Sequence, residues 1–157
     1  MILVCGLDNA GKTSLVNHLR GVKLPTVPTM GFNADMVDLG FAKFSMFDMC
    51  GQDTRRPMWS MFFRHAHALV YVVDSDDVSR LYESGQEFLK IRNHENFPDI
   101  PLLVLANKQD ATRASTPAQV MRAMRLKDER RPWHVCGTSL RDGDGVDAGL
   151  EWLTLQL

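Results

Sequence analysis

Eight residues near the start of the chain have the types and spacing of a phosphate-binding loop. They fit the pattern G-x-x-x-x-G-K-[ST] at every fixed position and are Gly6, Leu7, Asp8, Asn9, Ala10, Gly11, Lys12 and Thr13, to which we add the next residue, Ser14. In such a loop backbone N–H groups turn toward phosphate oxygens, the lysine adds positive charge, and the threonine hydroxyl can ligate Mg²⁺. A glycine-rich turn with a surface lysine is the alternative. The strand-like run before the loop and the helix-like run after it favour a nucleotide site.

A second polar segment, residues 107–110, has the chemistry to select a base. The Asp110 carboxylate can accept hydrogen bonds from the N1–H and the 2-amino group of guanine, two donors that adenine lacks on that edge. Asn107 can tie this segment to the phosphate-binding loop, and the Lys108 stem can lie against the purine ring. A polar turn after a strand is the alternative interpretation. Beside the phosphate-binding loop, the segment predicts guanine specificity.

A third segment, residues 48–52, could act on the terminal phosphate. Asp48 is placed to hold Mg²⁺, through water, and Gly51 lets a backbone N–H approach a phosphate. Gln52 could orient a water molecule for attack, which makes it the candidate catalytic residue. In isolation the same residues also fit a simple turn with a solvated glutamine.

Strand-like and helix-like runs alternate along the chain, so we expect an α/β fold with a mostly parallel sheet and helices on both faces. The polar segments then meet outside the carboxyl ends of the strands. The expected sheet has six strands, of which one is antiparallel because the runs at 33–39 and 42–47 are too close for a helical crossover. The other predicted strands cover 2–5, 68–73, 102–106 and 133–136. Predicted helices cover 14–20, start at Ser79, follow a capping box at Thr116, and end the chain with Val146, Leu150, Leu153 and Leu157 on one face.

Bulk properties are those of one domain spanning residues 1–157, with 17.7 kDa, a formal charge of −1 and 45% hydrophobic residues. The charge gives no reason to expect nucleic-acid binding, and no apolar run reaches the roughly 18 residues of a membrane span. Cys5, Cys50 and Cys136 suggest neither a disulfide framework nor a metal-ligand pair. We expect a cytoplasmic monomer.

Taken in order, these segments resemble those of the ADP-ribosylation-factor (Arf and Arf-like) family of small GTPases. The matching segments are 6–13, Pro28-Thr29-Met30-Gly31-Phe32-Asn33, 48–53 followed by Arg56-Pro57-Met58-Trp59, 107–110, and Cys136-Gly137-Thr138 near 142–145. The resemblance runs the length of the chain and implies a P-loop small-GTPase fold. It also implies GTP or GDP and Mg²⁺ as bound groups.

The resemblance assigns further site residues. It implies that Thr29 closes over Mg²⁺ and the γ-phosphate, so that Thr13, Thr29 and Asp48 form the metal set. It implies that the Gly51 N–H senses the γ-phosphate, and that residues 24–33 and 49–63 are the two switches. The backbone around Cys136 and Gly137 is implied to contact the guanine O6, with Gly137 standing where alanine is usual.

The implied activity is slow, Mg²⁺-dependent GTP hydrolysis that controls effector binding in intracellular membrane traffic. Implied partners are a guanine nucleotide exchange factor, a GTPase-activating protein and effectors. Cys50 replaces a glycine and Phe47 replaces a tryptophan usual in the family. These departures keep a second hypothesis open, a hydrolysis-deficient GTP-dependent scaffold. An ATP-dependent phosphotransferase is disfavoured by Asp110.

Peripheral attachment to an intracellular membrane is implied by the family alone. We expect the family's N-terminal amphipathic helix to be absent from these residues, because Met1 runs directly into the first predicted strand and position 2 is not glycine. Phe32, Phe47 and Phe62 fall where such proteins present aromatic effector contacts. Ordinary core packing explains these three residues equally well.

Overall fold

The computed structural model describes residues 1–21, 35–38, 43–46 and 61–157. Its strands are β1 (Ile2–Cys5), β2 (Asp35–Asp38), β3 (Lys43–Met46), β4 (Ala68–Asp74), β5 (Leu102–Asn107) and β6 (Trp133–Gly137). Its helices are α1 (Lys12–Leu19), α2 (Leu81–Arg92), α3 (Pro117–Ala123) and α4 (Val146–Gln156), with short 3₁₀ turns at Val78–Arg80 and Leu126–Asp128.

The strands lie in the order β2, β3, β1, β4, β5, β6. Strand β1 pairs in parallel with β3 and β4, β5 lies parallel to β4 and β6, and β2 runs antiparallel to β3. The register places Asp74 opposite Asn107, and Ala106 opposite Gly137. The carboxyl ends of β4, β5 and β6 therefore share one edge of the sheet, which we call the carboxyl edge.

Apolar side chains of β4 and β5 point alternately to the two faces of the sheet, so both faces must be buried under helices. Helices α2 and α3 cover one face through Phe88, Ile91 and Val120, together with Met124 just after α3. Helices α1 and α4 cover the other through Leu15, Val16, Val146 and Leu153. This arrangement confirms the predicted α/β class.

The helix start that the sequence predicts at Thr116 was confirmed. Thr116 accepts a hydrogen bond from the Gln119 N–H, and the Gln119 side chain accepts one from the Thr116 N–H, with proline at the first helical position. This is the predicted capping box, and it starts α3 at Pro117.

Three helix predictions were wrong in detail. Helix α1 begins at Lys12 rather than Ser14. Helix α2 begins at Leu81 rather than Ser79, because a 3₁₀ turn occupies Val78–Arg80. Leu157 does not line the face of α4, since the helix ends at Gln156 and Leu157 is 63% exposed.

Candidate functional site

The phosphate-binding loop connects β1 to α1 and depends on backbone conformations that few residues adopt. Gly11 has φ 115°, and a Cβ there would lie 2.4 Å from the Asn107 Nδ2. Only glycine fits this position, since both the φ value and the close approach exclude a side chain. Asn9 has φ 61°, a left-handed conformation that asparagine tolerates better than most residues. The loop therefore has a defined shape that its sequence permits.

Lys12 places a positive charge inside this loop. Its side chain is buried, and its Nζ donates hydrogen bonds to the carbonyl oxygens of Gly6 at 3.0 Å and Leu7 at 2.6 Å. Burial of an ammonium group is costly unless hydrogen bonds or an anion compensate it. The arrangement suits a phosphate that approaches the loop, where the N-terminus of α1 adds positive potential.

Asn107 joins the phosphate-binding loop to the rest of the site. Its buried Nδ2 donates to the Ala10 carbonyl at 2.9 Å, the tie that the sequence predicts. Its Oδ1 accepts from the Leu140 N–H at 2.9 Å and the Thr138 hydroxyl at 3.2 Å. One amide side chain thus connects three segments, and each of its polar atoms has a partner.

Residues 107–110, which the sequence predicts to select the base and which we call the base-selecting segment, continue from Asn107 as a turn with a left-handed residue. Lys108 has φ 63°, and its Nζ lies 2.7 Å from the Asp74 Oδ2. Gln109 donates from its backbone to Thr138 and from its side chain to Ser115. Asp110 is exposed to solvent. A carboxylate in this position can meet a ligand that approaches from outside the sheet.

The end of β6 completes the described part of the site. The Thr138 N–H donates to the Ala106 carbonyl at 3.0 Å, and the Gly137 carbonyl lies within 2.1 Å of where a Gly145 Cβ would stand. Burial raises the pKa of the Cys136 thiol to about 11. The thiol is therefore neutral near pH 7, so this segment offers backbone groups rather than a nucleophile.

The sequence model of the ADP-ribosylation factor family matches residues 1–157, the whole chain. The chain belongs to this family. Membership makes it a small GTPase with the P-loop GTPase α/β fold, a molecular switch that binds guanine nucleotides.

Arf-family proteins generally interact with exchange factors, GTPase-activating proteins and effectors, and they associate peripherally with membranes. No helix in the described ranges is long and apolar enough to span a membrane.

Several residues in or beside the predicted switch segments lie outside the described part of this Arf-family chain. They are Thr29, Asp48, Gly51 and Gln52, together with Cys50, Phe32 and Phe47. Their assigned roles stay predictions. Of the three aromatic residues discussed above, the structure describes Phe62, which is partly buried and packs against the core cluster on the α2 and α3 face.

The sequence did not predict two charged residues that contact the phosphate-binding loop and the base-selecting segment. Asp74 holds Lys108, and the Arg80 Nη2 lies 2.8 Å from the Asp8 Oδ1. The Arg80 hydrogen bond holds the pKa of Asp8 below its usual value, so Asp8 is a carboxylate near pH 7. The position of Asp74 at a strand end could have suggested its role. Arg80 is 72 residues from Asp8, and no local signal links them.

Proposed function

We propose that this protein is an Arf-like molecular switch that hydrolyses GTP slowly and controls intracellular membrane traffic through GTP-dependent effector binding. The observation that carries the proposal is the set of hydrogen bonds made by Asn107, which fastens the base-selecting segment to the phosphate-binding loop. A ligand with both a base and phosphates is the kind of molecule that requires these two segments in a fixed relation. We propose that residues 1–157 form one GTPase domain and that the protein is a cytoplasmic monomer.

Guanine selection in this proposal rests on Asp110, Lys108 and the backbone of Cys136 and Gly137. The exposed Asp110 carboxylate would accept from the N1–H and the 2-amino group of guanine, and the Lys108 stem would lie against the ring. The neighbouring Gly137 N–H would face the O6. The outer positions of the phosphate-binding loop, from Gly6 to Ser14, would hold the phosphates.

The residues present suit a magnesium ion that is shared with phosphate. Within the described ranges no three Asp, Glu, His or Cys side chains form a metal cage, and Mg²⁺ typically uses few protein ligands when phosphate oxygens supply others. Thr13, in the first turn of α1 and only partly buried, would be one ligand. Thr29 and Asp48 would complete the set. When bound, Mg²⁺ would neutralise charge on the β- and γ-phosphates.

Hydrolysis would use water that Gln52 orients for in-line attack, with Lys12 and the loop N–H groups stabilising the developing charge. Arg80 contacts the loop, but its guanidinium is held by Asp8 and Glu83. An arginine supplied in trans by a GTPase-activating protein could then raise turnover by about 10³- to 10⁵-fold. Because Arg80 is held in this way and the activating arginine comes from another protein, we expect slow turnover by the protein alone.

Single-turnover hydrolysis tests this proposal. The protein is loaded with GTP and Mg²⁺, and phosphate release is followed alone and with purified Arf-family GTPase-activating domains. We expect slow release that an activating domain accelerates, and a loss of both in Gln52→Leu with GTP still bound. Gln156→Leu, the same change at an exposed position at the end of α4, is the matched control.

Two results would change the proposed function. Firm GTP binding without turnover in either condition favours the hydrolysis-deficient scaffold that Cys50 and Phe47 suggest. Unchanged turnover in Gln52→Leu removes the water-positioning role from Gln52.

A further inference from the structure

We propose that the turn between β4 and α2, residues 74–80, is a positioning element that retains the nucleotide by holding both nucleotide loops. Asp74 fixes Lys108 of the base-selecting segment, and Arg80 fixes Asp8 of the phosphate-binding loop. The inference rests on the guanine-nucleotide binding described above. It adds two positioning residues that the family motifs quoted above do not contain.

Asp74 uses its two carboxylate oxygens for separate purposes. Its Oδ1 accepts hydrogen bonds from the backbone N–H groups of Asp76 at 3.0 Å and Asp77 at 3.2 Å, which shapes the turn. Its Oδ2 pairs with the Lys108 Nζ at 2.7 Å. The same side chain therefore defines the turn and restrains a lysine whose stem is placed to pack on the purine ring.

The backbone of the turn is also fastened to the base-selecting segment. The Ser75 N–H donates to the Asn107 carbonyl at 3.0 Å, and the Ser75 carbonyl accepts from the Ser115 N–H at 2.7 Å. Asp74 lies opposite Asn107 in the strand register. These contacts make the turn a fixed base from which the Asp74 side chain can act on Lys108.

Arg80 performs the corresponding task at the phosphate-binding loop. Its Nη2 pairs with the Asp8 Oδ1 at 2.8 Å, and its Nε pairs with the Glu83 Oε2 at 3.1 Å on the first turn of α2. Asp8 is a carboxylate inside a loop whose ligand carries negative charge. Without Arg80, that carboxylate would repel phosphates bound by the same loop.

These pairs are partly exposed, so their contribution to folding stability is small. Their effect is on loop geometry, because each holds a loop that contains a left-handed residue other than glycine, Asn9 or Lys108. Restricting a binding loop to its bound conformation lowers the entropic cost of binding and slows release.

The release rate of a fluorescent GDP analogue in Mg²⁺ tests the Asp74 half. Asp74→Asn keeps an oxygen that can accept from Asp76 and Asp77 but removes the charge beside Lys108. We expect release to accelerate about tenfold, equally for GDP and GTP analogues because the contact is on the base side. Glu87→Gln, which breaks the Lys90–Glu87 pair within α2 at a carboxylate that is also mostly buried, should release at the parent rate.

A coupling test separates positioning from a general structural role. In a Lys108→Met background, Asp74→Asn should change release by less than about twofold, since its target is gone. A tenfold effect that persists in this background contradicts the inference, because Asp74 would then act without Lys108.

Two substitutions test the Arg80 contact, and they are expected to change the rate of nucleotide release in opposite directions. Arg80→Gln should speed release about fivefold, and adding Asp8→Asn should restore slow release by removing the unpaired carboxylate. Far-ultraviolet circular dichroism checks that each variant is folded; should Asp74→Asn unfold, the Arg80 and Asp8 variants decide. If the parent binds no guanine nucleotide, the proposed function fails. If the parent retains GDP and all these variants release it at the parent rate, the positioning role alone fails.

Discussion

The two edges of the sheet use charged side chains in different ways. At the carboxyl edge Asp8 and Asp110 lie in loops and Lys12 lies at the start of α1, and their charges are placed for a ligand as well as for neighbours. At the opposite edge, where β5 and β6 begin, the Glu129 side chain is 6% exposed and pairs with both Arg92 and Arg131. Here the charges are satisfied within the fold.

The pairs at this opposite edge, which we call the amino edge, connect segments that are distant in sequence. The Arg131 Nη2 donates to the Arg92 carbonyl at 3.1 Å, and the Arg92 Nη1 donates to the Arg125 carbonyl at 3.0 Å. The Arg131 guanidinium lies over the Phe97 ring, 5.2 Å from its centroid, and the Arg92 guanidinium lies over the Phe88 ring, 5.9 Å from its centroid. These contacts close the loops that precede β5 and β6.

The two edges should therefore differ in what they control: the amino edge should affect folding stability, and the carboxyl edge should affect nucleotide binding. Changes at the amino edge should lower the free energy of unfolding and leave nucleotide release alone. Changes at the carboxyl edge should impair nucleotide binding far more than they weaken the fold. The predictions that follow test this separation, beginning with the largest expected effect.

Gly11→Ala should weaken GDP binding on the order of 1,000-fold, because the new methyl group meets the Asn107 Nδ2 and breaks its tie to Ala10. Titration with a fluorescent GDP analogue measures this. Gly21→Ala is the matched control, since Gly21 also has a positive φ, 70°, but among the described residues no atom lies within 4 Å of its added Cβ. Equal losses in the two variants would show that backbone strain, and not the Asn107 contact, is responsible.

Glu129→Gln should lower the free energy of unfolding by about 3 kcal/mol, because it leaves two partly buried arginines without their anion. Urea denaturation at a fixed large excess of GDP measures it. The release rate of GDP should stay at the parent value. Accelerated release with unchanged stability would reverse the assignment of the two edges.

The same carboxylate makes stability depend on pH. Burial alone would raise the pKa of Glu129, but hydrogen bonds from Arg131 and from the backbone N–H of Arg130 outweigh burial and lower the pKa below its usual 4.5. A lowered folded-state pKa contributes stability above the unfolded pKa, which is lost as pH falls through the folded value. The stability difference between the parent and Glu129→Gln should therefore be full at pH 6 and shrink below about pH 4.5. A constant difference across that range would exclude this linkage.

Arg125→Gly should produce the smallest effect, a gain of about 0.5 kcal/mol. Arg125 has φ 50°, a left-handed conformation that costs an L side chain more than glycine. Thermal denaturation of the GDP-bound protein measures the gain. Arg125→Ala keeps the strained backbone without the long side chain and should not be stabilised; a matching gain there would implicate charge instead.

Local signals in the sequence predicted the strands, the capping box at Thr116 and the tie from Asn107 to the phosphate-binding loop. They did not predict the partners of Asp8 and Lys108, because Arg80 and Asp74 approach them only once β4 lies beside β1 and β5. The start of α2 was misplaced because the 3₁₀ turn at Val78–Arg80 takes the place of the first predicted helical residues. Hydrogen bonds from the backbone of Asp76 and Asp77 to Asp74 shape the segment just before it.

The central claim is that the carboxyl edge selects guanine, and nucleotide specificity tests it most directly. Affinities for GTP, ATP and xanthosine triphosphate should be compared in the parent and in Asp110→Asn, with Asp99→Asn, an exposed residue before β5, as the control. We expect the parent to prefer GTP strongly, and Asp110→Asn to shift preference toward the xanthine nucleotide by on the order of 10³-fold. Unaltered discrimination in Asp110→Asn, or tighter binding of ATP than GTP by the parent, would contradict the account.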